Sequence, residues 1–520
     1  MKLTPRNAKI FTFKPALAYW LGAFAYAITD APSEWLLRLP FAASVFAAGL
    51  GVFILIRQLV GNRVAALSAI ASVSGVIVGE KVKLAEFDGI VTAGIGVAIA
   101  AACYNLAARK PRSGVWLLGY LGLTIGFLAK GVPALMLYPP GVLAAGWATR
   151  RFRRLLDWRH ITAALMFLAL TGGYLLGAYR FAGPAAFEQP LTESRLRGFG
   201  WIGPKLDEEA RAEKLRKGEF FLKGDEAEIA SDPLATLGRT LAKPFLVLAA
   251  FMPWSLLLPF ALSRVSLRES DSSTAILVQA AAAFLVVGVL LFMAVPTHAM
   301  RYYMPLCVPV GLLAGIWAGG GLSEGKRSDQ VLKLCAAVAI GASTITAAAA
   351  FALETPPVTV GQRTVIALVG LLALAASIAV FRKRPRDAVA ALLVLVVVCL
   401  SVVGNLGILV QKEAKRNLRQ EALELAAALP DGTPVWVLGP SNIAGKYSSL
   451  LFYLRRPVLA FRLAGPFPPD GSYCIVPSDR LEELARVPRF RFEPVIRVEH
   501  PWRDYLAGPC SERTTPENQP

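Results

Sequence analysis

The residues able to do chemistry stand in short charged clusters, each set against a long apolar run. FTFKPALAYW carries Lys14, and GEKVKLAEFDG crowds Glu80, Lys81, Lys83, Glu86 and Asp88 between two apolar stretches. PTHAMRYYMP holds His298, Arg301, Tyr302 and Tyr303, while Lys130 in FLAKGVP and Lys243 in LAKPF are lysines between apolar runs. A long polar segment adds Glu188, Glu193, Arg195 and Arg197. Charge beside lipid is costly and tends to serve function. Cations grouped with carboxylates suit transfer on a lipid phosphate: the cations hold an anionic leaving group, and a carboxylate takes a proton or orients a metal.

Each cluster also has a plainer reading. Lys14 could be a snorkelling anchor, the residues around Glu80 a solvated loop, and Arg301 with its tyrosines an aromatic belt. Asp88 leads directly into an apolar helix, where its charge favours the positive end of the dipole. It is therefore the candidate catalytic carboxylate. Lys14, Lys83, Lys130, Arg195, Arg197, Lys243, Arg301 and Tyr302 are the candidate substrate-binding residues, and His298 is the candidate metal ligand. A divalent metal is the only cofactor this set suggests.

These clusters need a scaffold. Of 520 residues, 55% are hydrophobic and 18% charged, with a mean hydropathy of +0.51. That is too little charge to cover a soluble globule of this size. Apolar runs near 41–60, 64–79, 87–107, 115–129, 131–148, 161–181, 244–264, 274–295, 302–321, 331–353, 362–381 and 387–410 predict about twelve transmembrane helices. In lipid such runs must be helical, because no water satisfies the backbone. The expected fold class is a polytopic α-helical membrane protein over 1–410 with a small soluble α/β domain over 411–520.

The net charge of +19 lies in alternate loops, around Arg57, Arg109, Arg150, Arg264, Arg327 and Arg382. That pattern reads as the positive-inside rule, which places the other loops, an outer loop over 182–243 and the tail on the non-cytoplasmic side. No basic stripe with interleaved aromatics lies on a soluble segment, so nucleic acid is not an expected partner. PALAYWLGAFAYAIT, from Pro15 to Thr29, predicts an interfacial helix. An even number of spans with an outside tail leads us to expect one further span upstream of Met1.

Of six cysteines, Cys103, Cys307, Cys335 and Cys399 sit in apolar runs as small packed hydrophobes. Cys474 and Cys510 lie in the tail, where an oxidising compartment would allow them to pair. The tail reads as helix 412–429, strand 434–439, helix 441–453, strands near 458–461 and 473–476, helix 479–485 and a strand near 493–498. GPSNIAGK lacks the spacing of a phosphate-binding loop.

Taken in order, TPRNAKIFTFKPALAYW, WLLRLPFAAS, AEFDGIVTA, GFLAKGVPAL, AKPFLVLAAFMPWSLLL and HAMRYYMPLCVP resemble the polyprenyl-phosphate-dependent glycosyltransferases of the membrane C-type fold. That group holds protein O-mannosyltransferases and the bacterial 4-amino-4-deoxy-L-arabinose lipid A transferase. The resemblance implies transfer of a sugar, with inversion, from a polyprenyl-phosphate donor to lipid A, a protein or another envelope glycan, at the outer face of a bacterial inner membrane. It implies that Lys14 helps bind the lipid phosphate, that Asp88 belongs to the active site, and that Arg301 and Tyr302 lie near the same cavity. Two features depart from the family. Members have a first span followed by an outer loop with an acidic pair, whose aspartate is taken as the catalytic base, and this sequence is expected to start after it. Their usual Glu-Lys-Pro-Pro reads Phe13, Lys14, Pro15, Ala16 here, without the carboxylate sometimes used for metal. The competing classes are a transporter or flippase and a non-catalytic envelope scaffold. A transporter would show inverted repeats and midplane charges, and neither is evident in the sequence.

Overall fold

The structure is a computed structural model. In its helical part it describes residues 15–29, 34–82, 87–184, 233–262, 272–294, 300–319, 326–353, 358–383 and 388–410, and in the tail 419–429, 435–438, 458–461, 468–469, 472–478, 481, 490–498 and 505–512. The chain divides into two compact units, one built on Ile10–Gly203 with Asp232–Ile408 and the other containing Leu409–Pro520.

The helical unit follows the apolar runs. After α1 (Leu17–Thr29) come α2 (Glu34–Val60), α3 (Asn62–Val73), α4 (Val76–Lys81), α5 (Phe87–Ala107), α6 (Ser113–Lys130), α7 (Pro133–Ala148) and α8 (Trp158–Ala182). Then follow α9 (Pro233–Ala250), α10 (Leu258–Leu262), α11 (Ser273–Ala294), α12 (Cys307–Gly319), α13 (Lys326–Ala352), α14 (Val360–Lys383) and α15 (Ala388–Val402). A 3-10 turn, Met300–Leu306, leads into α12. Among the described residues nine helices are long and apolar enough to cross a membrane, or ten if one bent pair counts as a span. The protein is thus a multi-pass membrane protein.

The expected count of twelve is not reached among the described residues, for reasons visible in the backbone. The 64–79 run is broken into α3 and α4 at Ser74–Gly75, where Gly75 is extended. The 131–148 run gives the 16-residue α7, opened by Pro133 in its first turn. The 244–264 run is bent by 106° between Thr240–Ala250 and Trp254–Leu262. The two breaks meet: Val76 N–H donates to the Met252 carbonyl at 3.1 Å, and Trp254 Nε1–H donates to Ser74 Oγ at 2.9 Å. Backbone freed from one helix is therefore satisfied by the other, as burial among apolar helices requires.

α5 and the span beginning at Met300 are the central elements, with 94% and 89% of their apolar windows buried, against 17% for the span in α8. Small residues allow this packing. A Cβ on Gly94 would run into the backbone of Gly122 and Gly126, so α5 and α6 approach closely along a glycine seam. On α12, Gly311, Gly315 and Gly319 face Ser72, Ser68 and Val64 of α3. This four-residue spacing of small residues is how helices associate where no hydrophobic effect separates protein from solvent.

At the other end of α5 the Arg154 guanidinium takes up carbonyls left over by the helix: Nη1 donates to Asn105 O at 2.5 Å and Ala108 O at 2.6 Å. Burial, and then the nearby Arg151, pull Arg154 down to about 10, so it keeps its charge at neutral pH.

The tail unit is α/β, with α16 (Arg419–Ala428) and strands β1 (Val435–Leu438), β2 (Val458–Phe461), β3 (Ser472–Pro477), β4 (Phe490–Phe492), β5 (Ile496–Val498) and β6 (Tyr505–Glu512). The sheet order is β2-β1-β3-β6-β4, with β5 also on β6. β2, β1 and β3 are parallel, while β6 runs antiparallel to β3, β4 and β5. Of the strand expected near 493–498 only β5 forms, after Pro494, and β4 and β6 have no counterpart among the expected strands. The helix expected over 441–453 lies outside the described residues, as do the helix expected over 479–485 apart from Leu481 and most of the 182–243 loop. Cys474 and Cys510 form a disulfide, and the other four cysteines are buried and free.

Candidate functional site

Asp88 sits in the first turn of α5, and Lys130 is the last residue of α6. The helices run antiparallel, so the carboxylate lies at a helix N-terminus beside a lysine at a helix C-terminus. Each charge meets the end of the dipole that favours it. Lys130 Nζ donates to Asp88 Oδ1. Arg301, from the 3-10 turn before α12, brings Nε to 3.7 Å from Asp88 Oδ2. Tyr302 lies alongside, its ring centroid 4.4 Å from Lys130 Nζ and 5.7 Å from Arg301 Cζ.

Burial of this set is graded. Asp88 is 7% and Lys130 8% exposed, while the Arg301 side chain is 39% exposed. One carboxylate between two cations leaves a net positive charge at the rim, with Arg301 reaching toward solvent. Such a site attracts an anion. A buried pair costs several kcal/mol per ion in desolvation, so it persists only with close geometry and further partners. Arg301 and Tyr302 supply those partners.

α1 lies over the start of this site. The Tyr19 ring meets Phe87, the neighbour of Asp88, edge-on at 5.4 Å. Gly131 follows Lys130 with φ +77°, a backbone favouring glycine, and a Cβ there would lie 3.6 Å from Pro15 Cγ. The residue after Lys14 thus borders the residue after Lys130. The Ala16 N–H donates to the Tyr174 hydroxyl of α8 at 3.1 Å, which fixes the entry to α1.

The structure therefore brings together Asp88, Lys130, Arg301 and Tyr302. Lys243 is 1% exposed, and its Nζ donates to Phe292 O at 2.9 Å. The Phe292 ring meets Tyr303 edge-on at 4.8 Å, so Lys243 is held on the backbone of a residue that packs against the neighbour of Tyr302. Glu80 and Lys81, 3.9 Å apart, form an ion pair at the end of α4, with Glu80 exposed. Lys14, Lys83, Glu86, Glu188, Glu193, Arg195, Arg197 and His298 lie outside the described residues. No group of three His, Cys, Asp or Glu side chains that could hold a metal occurs among the described residues. With a cation facing each oxygen of Asp88, the described site does not fit a divalent ion. Sequence reasoning gives Tyr303 no role of its own and misses Phe292; the two rings pack together, with Tyr303 buried and next to Tyr302 in sequence, and the adjacent tyrosines in MRYYMP are the available signal.

Residues 13–174 match the family of dolichyl-phosphate-mannose-protein mannosyltransferases. The fold is shared with a solved multi-pass membrane protein. The chain is similar to the crystal structure of ArnT from Cupriavidus metallidurans bound to undecaprenyl phosphate, with a TM-score of 0.67 and 16% identity over 95% of this chain and 88% of that one. The same protein in its apo state matches with a TM-score of 0.62, at the same identity and coverage. No curated protein matches the sequence.

Proposed function

We propose that this protein transfers a glycosyl group, with inversion, from a polyprenyl-phosphate-linked sugar to an envelope acceptor (lipid A, a protein or another glycan) at the outer face of a bacterial inner membrane. The observation carrying this reading is the Asp88 carboxylate braced between Lys130 and Arg301 at the mouth of two central helices. The architecture shared with a protein crystallised with undecaprenyl phosphate supports it. So does the Cys474–Cys510 disulfide, which suits a tail domain in an oxidising, non-cytoplasmic compartment.

In this mechanism the donor phosphate takes the place of the carboxylate on Lys130 and Arg301, with Lys14 as a third cation. That releases one oxygen of Asp88. The acceptor hydroxyl attacks the anomeric carbon, the bond from that carbon to the phosphate oxygen breaks, and the electron pair leaves with the polyprenyl phosphate. The hydroxyl proton passes to Asp88. The cations act by stabilising charge that grows on the phosphate as the bond breaks. Lys83, Arg195 and Arg197 are proposed to line the same cavity, with Lys243 behind it.

The test is transfer from undecaprenyl-phosphate-linked sugars in reconstituted vesicles, read as labelled acceptor together with released undecaprenyl phosphate. Lys130→Met and Lys14→Ala are expected to lower turnover by roughly 100-fold or more, the scale of losing one charge-stabilising contact. Turnover at the unsubstituted rate, in protein that inserts normally, rejects the phosphate role.

A further inference from the structure

The rim at the far end of α5 from Asp88 is organised as closely as the site itself. It is formed by the ends of α2, α5 and α7 and the starts of α6 and α8, tied together by Arg112 Nη1 donating to Gln58 Oε1 at 2.9 Å and by Arg154 on the α5 carbonyls. Of the arginine run after α7, Arg151 and Arg154 turn inward onto those carbonyls. Arg150 and Arg153 stay exposed, as do Arg109 and Lys110 across the rim. Asp157, the one carboxylate in the 147–159 stretch, is already paired with Arg159 at 3.1 Å. Among the described residues of this turn the outward charge is therefore positive.

The same turn exposes aromatics. Trp147 is 80% and Trp158 61% exposed. Below them the exposed surface of α8 is apolar, with Ile161 and Leu165 outward. Outward aromatics between an apolar helix face and a ring of cations mark headgroup level in a bilayer. Arg150 adds an independent sign. Its φ is +56°, the left-handed region, where a turn serving only to reverse the chain would favour glycine. A non-glycine held there points to a use for its side chain.

We propose that Arg150 and Arg153, flanked by Trp147 and Trp158 and faced by Arg109 and Lys110, form a docking site for the headgroups of anionic phospholipids. The cations neutralise the phosphates, and the indoles hold the glycerol and upper acyl region. Phospholipid fits this surface better than nucleic acid or an acidic protein, because the cations continue directly into a lipid-facing apolar surface.

The test uses the full chain in phosphatidylcholine vesicles containing spin-labelled phosphatidylglycerol, with the motionally restricted fraction read by electron paramagnetic resonance. The unsubstituted protein is expected to prefer phosphatidylglycerol, and Arg150→Gly combined with Arg153→Gln to reduce that preference by up to about 30-fold, roughly fivefold for each basic residue removed from a charged membrane surface. The double variant should melt no lower than the parent, since glycine relieves the backbone at 150. Arg382→Gln with Lys383→Gln, on another basic loop, should leave the preference intact. Absence of a preference in the parent, its persistence in the first variant, or equal losses in both variants overturns the site.

Discussion

Lys130 ends α6 with its ammonium on the Asp88 carboxylate, 42 residues back along the chain in the first turn of the antiparallel α5. The contact joins the ends of two packed helices. Its geometry is set by the glycine seam that fixes how far the helices slide past each other. Arg301 then meets the carboxylate from its opposite side, at 3.7 Å.

Removing one member of this pair leaves a buried charge with less compensation. Asp88→Asn and Lys130→Met are each expected to cost about 3 kcal/mol, the lower end for a broken buried pair because Arg301 and Tyr302 remain. Combined, they should cost less than the sum of the two, since both buried charges of the pair are removed and the Arg301 cation left behind is 39% exposed to solvent. Thermal unfolding in detergent measures this cycle, and strictly additive losses would mean that the two residues are not coupled. Activity separates from stability here: the double variant should stay inactive even where its stability recovers.

The seam itself can be tested away from any charge. Gly94→Ala places a methyl group against the backbone of Gly122 and Gly126 and is expected to cost about 1–3 kcal/mol, with transfer activity falling as Asp88 shifts relative to Lys130. Gly172→Ala on α8 is the control, because a Cβ there meets nothing within 4 Å. It should be neutral or slightly stabilising through helix propensity. If the two alanines have equal effects on melting, close α5–α6 packing is not what holds the site.

Much of this arrangement is legible in the sequence, and the limits follow from physics. Hydropathy locates the apolar runs because each helix satisfies its own backbone and only composition matters for insertion. The break at Ser74–Gly75 is hidden, since its stability depends on Met252 and Trp254, almost two hundred residues away. Asp88 stands out by its position before an apolar helix, and Lys130 by its place between two, but their pairing is a product of helix packing that spacing does not encode. β6 escapes a sequence reading because YLAGPCSE contains Gly508 and Pro509, which lower strand propensity, and it is held by pairing with β3.

The tail unit supplies the remaining prediction. Trp436 on β1 lies directly opposite Cys474 on β3, in the cluster that also holds Leu438, Val476 and Cys510. Cys474 and Cys510 are bridged across 36 residues of chain. Loop-closure entropy for a bridge of that span gives a stabilisation of about 2–4 kcal/mol. Cys474→Ser with Cys510→Ser should therefore lower the unfolding midpoint of the tail while leaving the helical unit inserted. A disulfide quenches a neighbouring indole, so the same change should raise tryptophan emission, and the rise should vanish in a Trp436→Phe background. Alkylation of unfolded, unreduced protein should label Cys103, Cys307, Cys335 and Cys399 and spare the other two. Labelling of all six would show that the tail folds reduced, and would remove the support that this bridge lends to a non-cytoplasmic tail.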